Sequence, residues 1–329
     1  LVFGYCPPEL NVPTVPGAEL RVLAQPKARG LFPSLCAYLR TTRPDVVFVA
    51  EDHLTIVLLL AAIATGSRAR ISGSSRVTPF DTYSGRPFTK GWILKQALRS
   101  VAWRADALTC VSHDMVHQYR SLFPRSKHRC VYNIVDRTAS LVRMAEPVDD
   151  PWLRDGGPPV LVAAGSLAHY KGFDVLIEAF ALVRAGGTNT RLVILGEGDD
   201  RGRLEEQIAR HRLGDTVRLP GRVPNPLAWF ARVPVFVLSS RLEGMPNVLV
   251  EAMACGCTVV AVDCPTGPRE LLDDGRFGYL VPMEDPAALA NGIVRALASP
   301  IDPATLDDAL SPFAAERVIA DHFEMLGLR

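Results

Sequence analysis

Glu243 and Glu251 lie eight residues apart in RLEGMPNVLVEAMACG (241–256). Asn247 and Glu251 are four apart, so a helix over this stretch sets both on one face. Gly244 lets the backbone approach a ligand closely. With Pro246 in the first turn, the amides of Met245, Asn247 and Val248 point out of the helix start, where an anion is favoured. A carboxylate on the adjoining wall accepts hydrogen bonds from sugar hydroxyls. This pattern suits an anionic, hydroxyl-rich ligand such as a nucleotide sugar. The plain alternative is a surface helix carrying two solvated glutamates. A second set lies upstream: Gly165, Ser166 and Leu167, followed by Lys171 and Gly172. A glycine and a lysine beside a helix start can hold a diphosphate. Lys171 taken alone reads equally as a solvated lysine.

These residues need elements to place them. VPVFVLSS (233–240) and TVVAVD (258–263) are apolar runs bounded by turn residues, as expected for strands of a parallel sheet covered on both faces. The segment between them reads as a helix, with Gly256 just past its end. Glu243 and Gly244 therefore sit in a loop at the carboxyl end of a strand, where open α/β sheets bind ligands. PVLVAAG (159–165) begins the same sheet, FDVLIEAFALVRA is the helix after it, and RLVILGEG brings Gly196 to the next strand end. RLEEQIARHRLG reads as a helix, VRLPGRV as a strand and NPLAWFAR as a short helix. DPAALANGIVRALA (285–298) is a helix with an aspartate at its start, and PFAAERVIADHF (312–323) is the last helix. In the first part, 19–24, 44–50, 69–73, 105–112 and 129–136 read as strands. Helices lie between the earlier of them, near 54–64 and 89–103 and from about His113. Strands alternating with helices imply doubly wound parallel sheets. The stretch 136–159 has weak periodicity and reads as loose. The domain boundary is expected near 135.

EGMPNVLVEAMACG, CPTGPRELL (264–272) and GRFGYLVP (275–282) together resemble the donor-binding half of glycosyltransferase family 4, the group 1 enzymes. That family is retaining, uses nucleotide sugars and has the GT-B fold of two Rossmann-like domains facing a cleft. Its pattern E-G-x-P-N-x-x-x-E-A-M-A-x-G is matched at every fixed position, and the resemblance covers 159–298 closely. It implies an acceptor-side domain over 1–135, a nucleotide-sugar domain over 136–311, and a terminal helix, 312–329, crossing back to the first. It also implies that the first domain lacks its first βα unit. By resemblance Glu251 holds the ribose, Lys171 and the amides after Gly244 hold the diphosphate, and Glu243 contacts the transferred sugar. Gly165, Ser166 and Gly196 line the donor turn, and Val223, in Arg222-Val223-Pro224, touches the nucleobase. The family turn is usually G-R-L-x-x-x-K-G, so Ser166 stands where an arginine is common. His53 and Arg76 fall where the family approaches the reacting sugar and acceptor. Each reads alternatively as an ordinary surface or core residue. Ser112, Asn133 and 267–270 resemble family positions with structural roles. The implied reaction moves a hexose or N-acetylhexosamine from a UDP-linked donor to a hydroxyl in glycan, lipid-linked oligosaccharide or surface polysaccharide synthesis. No metal and no cofactor beyond the nucleotide-sugar co-substrate is implied. A GT-B epimerase, a phosphorylase and a nucleotide-sugar-binding remnant are the competing readings.

Composition agrees with a globular chain. Of 329 residues 48% are hydrophobic, and 36 basic against 35 acidic residues give a net charge of +1. A neutral balance argues against a nucleic-acid partner. Seven cysteines without a C-x-x-C fit neither a disulfide framework nor a zinc site, and a cytoplasmic setting is expected. Cys255-Gly256-Cys257 reads as packing and turn. The run 54–64 is too short to span a bilayer. Segment 86–104 mixes five basic residues with Trp92, Ile93, Leu94, Leu98 and Trp103. It reads either as a domain helix with a solvated basic face or as a peripheral contact with the inner face of an anionic membrane. The chain opens at Leu1 in mid-pattern, so an upstream segment is expected.

Overall fold

The structure is a computed structural model that describes residues 2–3, 19, 21–22, 30–153 and 157–328. The chain divides into two compact units: Leu1–Val131 with His322–Arg329, and Tyr132–Asp321. The division thus falls between Val131 and Tyr132, and the carboxyl-terminal segment of the first unit starts at His322.

In the first unit β1 (Val2–Phe3) pairs in parallel with β2 (Arg21–Val22). The rest of the run 19–24 lies outside the described residues, apart from Glu19. β3 (Val46–Ala50), β4 (Arg70–Ser75), β5 (Ala107–Cys110) and β6 (His128–Cys130) form a four-stranded parallel sheet in that order. The helix Asp52–Thr65 follows β3 and buries Ile56, Leu58, Leu59, Ala61 and Ala62. Each buried leucine side chain stabilises the unit by about 1.5–3 kcal/mol. Gly66 ends this helix in the left-handed region (φ 64), where its amide reaches the carbonyls of Ala62 and Ile63. The helix Lys90–Val101 is capped by Thr89, and His113–Leu122 by Ser112, whose hydroxyl accepts from the Met115 amide. Ser112 therefore has the structural role expected of it.

The second unit holds a six-stranded parallel sheet. Its strands are β7 (Val160–Ala164), β8 (Arg191–Leu195), β9 (Val217–Gly221), β10 (Val235–Leu238), β11 (Thr258–Val262) and β12 (Tyr279–Val281). They run in the order β12-β11-β10-β7-β8-β9. The chain starts in the middle at β7, builds outward to β9, then returns to β10 on the other side. Such a reversal opens a crevice beyond the carboxyl ends of the two central strands. β10 and β11 are buried throughout because helices cover both faces, which explains their uninterrupted apolar runs. On one face Leu176, Phe180 and Val183 from the helix Phe173–Ala185 meet Leu289, Ile293 and Ala296 from Pro286–Ala298. Truncating Phe180 to alanine there would cost about 3–5 kcal/mol.

Two expectations fail, and a third shifts at its ends. The strand read over 129–136 ends at Cys130, and 131–136 is irregular. The loose stretch 136–159 contains the helix Arg137–Met144. Asp136 caps it by accepting from the Ala139 amide at 2.9 Å, and Asn225 and Arg232 bond the carbonyls of Arg143 and Met144. Leu141 and Val142 stay exposed, and Ser140 is the buried residue of this helix. The terminal helix read over 312–323 is present as Ala315–Met325, preceded by a 3-10 turn Ser311–Phe313 and a separate short helix Leu306–Leu310. Pro312 lies in the turn and extended Ala314 separates the two helices.

Candidate functional site

The loops after β7 and β10 lie side by side because their strands pair. The first carries Gly165, Ser166 and a 3-10 turn, His169–Lys171, before the helix Phe173–Ala185. Gly172 makes this connection at φ 64, and a Cβ there would sit 2.0 Å from the Ser239 carbonyl oxygen. Only glycine permits that approach of the two loops. Ser239 in turn donates to the Lys171 carbonyl at 2.9 Å. Lys171 and Glu243, placed apart by sequence on the diphosphate and the sugar, meet here: Nζ lies 2.6 Å from Oε1. Both side chains are largely buried, at 15% and 10% exposure. Thr266 donates to the Glu243 carbonyl, and Gly267 (φ 94) leaves room for Pro246, whose Cδ would lie 2.7 Å from an added Cβ. The second loop is thereby fixed from the β11 side as well.

Beyond Gly244 the helix is Asn247–Ala254, and extended Pro246 sits at its cap. Met245 and Pro246 are buried, Val248 is partly buried, and Asn247 is exposed. The amides of Asn247 and Val248 open the helix, so they have no carbonyl one turn back to bond. The Asn247 Oδ1 accepts from Asn133 at 2.6 Å. Glu251 lies one turn on. Burial raises its pKa above the ordinary carboxylate value, and Arg143 partly opposes this. Gly165, Ser166, Gly196 and Val223 come together around a cavity of about 210 Å³ that Glu197, Arg222 and Pro226 also line. A Cβ on Gly196 (φ 148) would lie 1.8 Å from the Gly165 carbonyl oxygen, so the two strand ends close this cavity without side chains. Ser166 bonds Tyr170 at 2.6 Å. Cys255 and Cys257 donate to backbone carbonyls of Leu227 and Phe230, as expected of packing residues, and burial pushes Cys255 up to about 12.

In the first unit His53 and Arg76, both exposed, line one cavity of about 1330 Å³ beyond β3 and β4. Beneath them is a cluster that the sequence does not reveal. Asp52, 8% exposed, accepts at Oδ1 from Ser75 and at Oδ2 from Tyr83 and Tyr119. Burial, followed by the neighbouring carboxylate, raises both tyrosine pKa values far above normal, so the phenols stay protonated donors. Glu51, just before the helix, holds φ 76, a backbone conformation costing about 1–3 kcal/mol in a non-glycine residue. The only sequence signal for this cluster is a buried-looking helix beginning in a charged triplet.

Residues 158–299 match a family model described as "Glycosyl transferases group 1". That stretch, which lies within the second unit, is thus similar to group 1 glycosyltransferases. A Campylobacter jejuni N-acetylgalactosamine-N,N'-diacetylbacillosaminyl-diphospho-undecaprenol 4-alpha-N-acetylgalactosaminyltransferase is 29% identical over 252 residues, covering 76% of this chain and 66% of that one. A lipopolysaccharide core biosynthesis glycosyltransferase, LpsE, from Rhizobium meliloti is 33% identical over 212 residues, or 64% and 57% of the two chains. The chain therefore spans about two thirds or less of these curated relatives. The crystal structure of Anabaena HepE in complex with UDP and glucose superposes with a TM-score of 0.75 at 19% identity, over 94% of this chain and 86% of that one. That likeness fits two parallel-sheet α/β units of the GT-B fold.

Proposed function

We propose that the chain is a retaining glycosyltransferase that takes a hexose or N-acetylhexosamine from a UDP-linked donor to a hydroxyl acceptor in glycan or surface-polysaccharide assembly. The observation that carries this reading is the Lys171–Glu243 pair, set at the crevice of the second sheet and flanked by the opening amides of Asn247–Ala254. In this reading Lys171 and those amides hold the diphosphate and stabilise its charge as it leaves. Glu243 then turns to the transferred sugar, Glu251 takes the ribose hydroxyls, and the Val223 backbone packs on the base. His53 and Arg76 meet the acceptor in the first unit. The Campylobacter relative's name specifies a diphospho-undecaprenol-linked acceptor and the Anabaena structure contains UDP. Both support a nucleotide-sugar donor and a glycan or lipid-linked acceptor here. The exposed side chains of Phe88, Ile93 and Trp103, among Lys90, Lys95 and Arg99, would let this unit rest on the inner face of an anionic membrane. Transfer proceeds without a metal.

A thermal-shift screen with UDP-, GDP- and ADP-sugars tests the donor, and a transfer assay with and without EDTA tests the chemistry. Stabilisation by UDP-sugars and EDTA-insensitive transfer are expected. No shift with any nucleotide sugar would remove the donor reading. Binding accompanied only by donor hydrolysis would leave a nucleotide-sugar-binding remnant.

A further inference from the structure

Arg241 lies two residues before Glu243 and carries no signal in its sequence context. In the structure its guanidinium holds three loops. Nη1 and Nη2 bond the Asp174 carboxylate at 2.7 and 2.8 Å, a bidentate fork. Nε and Nη2 bond Glu284 at 2.5 and 3.1 Å. Nη1 also donates to the His169 carbonyl at 2.6 Å, and the Arg241 amide donates to the Tyr170 carbonyl at 2.8 Å. His169 and Tyr170 immediately precede Lys171, and Asp174 follows it in the first turn of Phe173–Ala185. Arg241 thus grips the lysine turn on both sides while belonging to the loop that carries Glu243. Glu284 ties the same side chain to the loop after β12 and itself holds φ 58. The arginine side chain is 17% exposed, whereas Asp174 and Glu284 are about half exposed, so the cation is the sequestered partner. Burial works against the Asp174 carboxylate, but the Arg241 guanidinium holds it below the usual carboxylate range. A planar fork can satisfy two carboxylates and a carbonyl at once, which a lysine cannot.

We infer that Arg241 is a positioning residue: it clasps the β7 and β10 loops together so that Lys171 and Glu243 present one preformed diphosphate-and-sugar site. The inference rests on the donor reading above for its ligand, and on the loop geometry alone for the clasp. Arg241 itself touches no substrate. Its loss would let the lysine turn and the glutamate loop move independently. A preformed site loses little entropy on binding, and a loosened one loses that advantage.

The test uses the full chain carrying R241Q, with R241K as a second variant in case the first folds poorly. Hydrogen-exchange mass spectrometry should show peptides over 166–172 and 239–246 exchanging about tenfold faster in R241Q, with β7 and β10 unchanged. By calorimetry R241Q should lose about tenfold in UDP affinity yet keep UMP affinity within about twofold, because Lys171 serves the diphosphate. R241K should fall between R241Q and the natural chain. In the K171A background the further loss caused by R241Q should shrink below about twofold, the non-additivity expected of a residue that acts through Lys171. Unchanged exchange in both loops overturns the clasp. So does an equal loss of UMP and UDP, which marks a general structural effect, and so does full additivity with K171A. If the natural chain binds neither UDP nor GDP nor ADP, the donor reading fails while the exchange data still decide the clasp.

Discussion

Each unit places a shielded carboxylate beyond the carboxyl ends of its strands, and the two are satisfied in opposite ways. Asp52 is held by the hydroxyls of Ser75, Tyr83 and Tyr119, which come from β4, the loop after it and the helix His113–Leu122. Glu243 is held by the ammonium of Lys171. Neutral hydroxyls from three elements make a knot that no small ligand can replace, since removing any one leaves a buried polar group unpaired. A single ammonium can trade a carboxylate for a phosphate without losing a charged partner. The first arrangement builds a wall, and the second leaves a partner exchangeable.

The largest expected effect breaks the wall. Asp52→Ala strands three buried donors and should lower the stability of the first unit by about 3 kcal/mol, read as a shift of the urea midpoint in pulse proteolysis. The second unit's midpoint should stay put. Loss of less than about 1 kcal/mol would mean that the hydroxyls find other acceptors.

Acid should separate the units next. Burial pushes His128 down to about 4 from 6.5, helped by Arg120 and opposed by Asp52. A depressed folded value means that the stability it contributes is present above the unfolded pKa and lost as pH falls through the folded one. The first unit should therefore lose about 3 kcal/mol between pH 6.5 and 4, since each tenfold difference in proton affinity between folded and unfolded chain is worth about 1.4 kcal/mol. Glu251 runs the other way. Its folded value is raised by burial, so its contribution is full below the unfolded carboxylate value and lost as pH rises through the folded one. Unfolding followed unit by unit across this range should show the first unit weakening while Glu251 opposes any such loss in the second. Parallel losses that persist in His128→Asn would contradict the contrast.

Within the second unit, Glu251→Ala should weaken UDP binding by about 1.5–3 kcal/mol, the range for a hydrogen bond to a charged group. Unchanged calorimetric affinity in the folded variant would remove the ribose role. The smallest effect sharpens the exchangeable side: Ser166→Arg adds a second cation to the Lys171 turn and should tighten UDP binding by about 1 kcal/mol. Weaker binding would show that the Ser166–Tyr170 contact shapes the turn more than charge does.

The second sheet is legible in the sequence because its strands are buried on both faces and its helices end in recognisable residues. The helix 173–185 is legible to the residue, and Asp285 stands as expected at the start of Pro286–Ala298, where its side chain accepts from the Ala288 amide at 2.9 Å. Helix Arg137–Met144 is not legible, because its hold on the unit comes from backbone carbonyls bonded by Asn225 and Arg232, far away in sequence. The pairing of Lys171 with Glu243 is equally hidden. Spacing gives both residues an anion-and-sugar character, but only the β7–β10 pairing brings them within 2.6 Å. Arg241 and Asp52 look like ordinary charged residues until their partners, at positions as distant as 174, 284 and 119, are in place.

The Lys171–Glu243 pair also bears on how fast a ligand arrives. With its ammonium already paired to Glu243 at close range, Lys171 adds little long-range positive field toward solution. Lys171 should then contribute little to the steering of a dianionic diphosphate, since such acceleration depends on an unscreened, uncompensated charge. Selectivity for the anion would be exercised after encounter, when the phosphate takes the glutamate's place, and would appear in the dissociation rate.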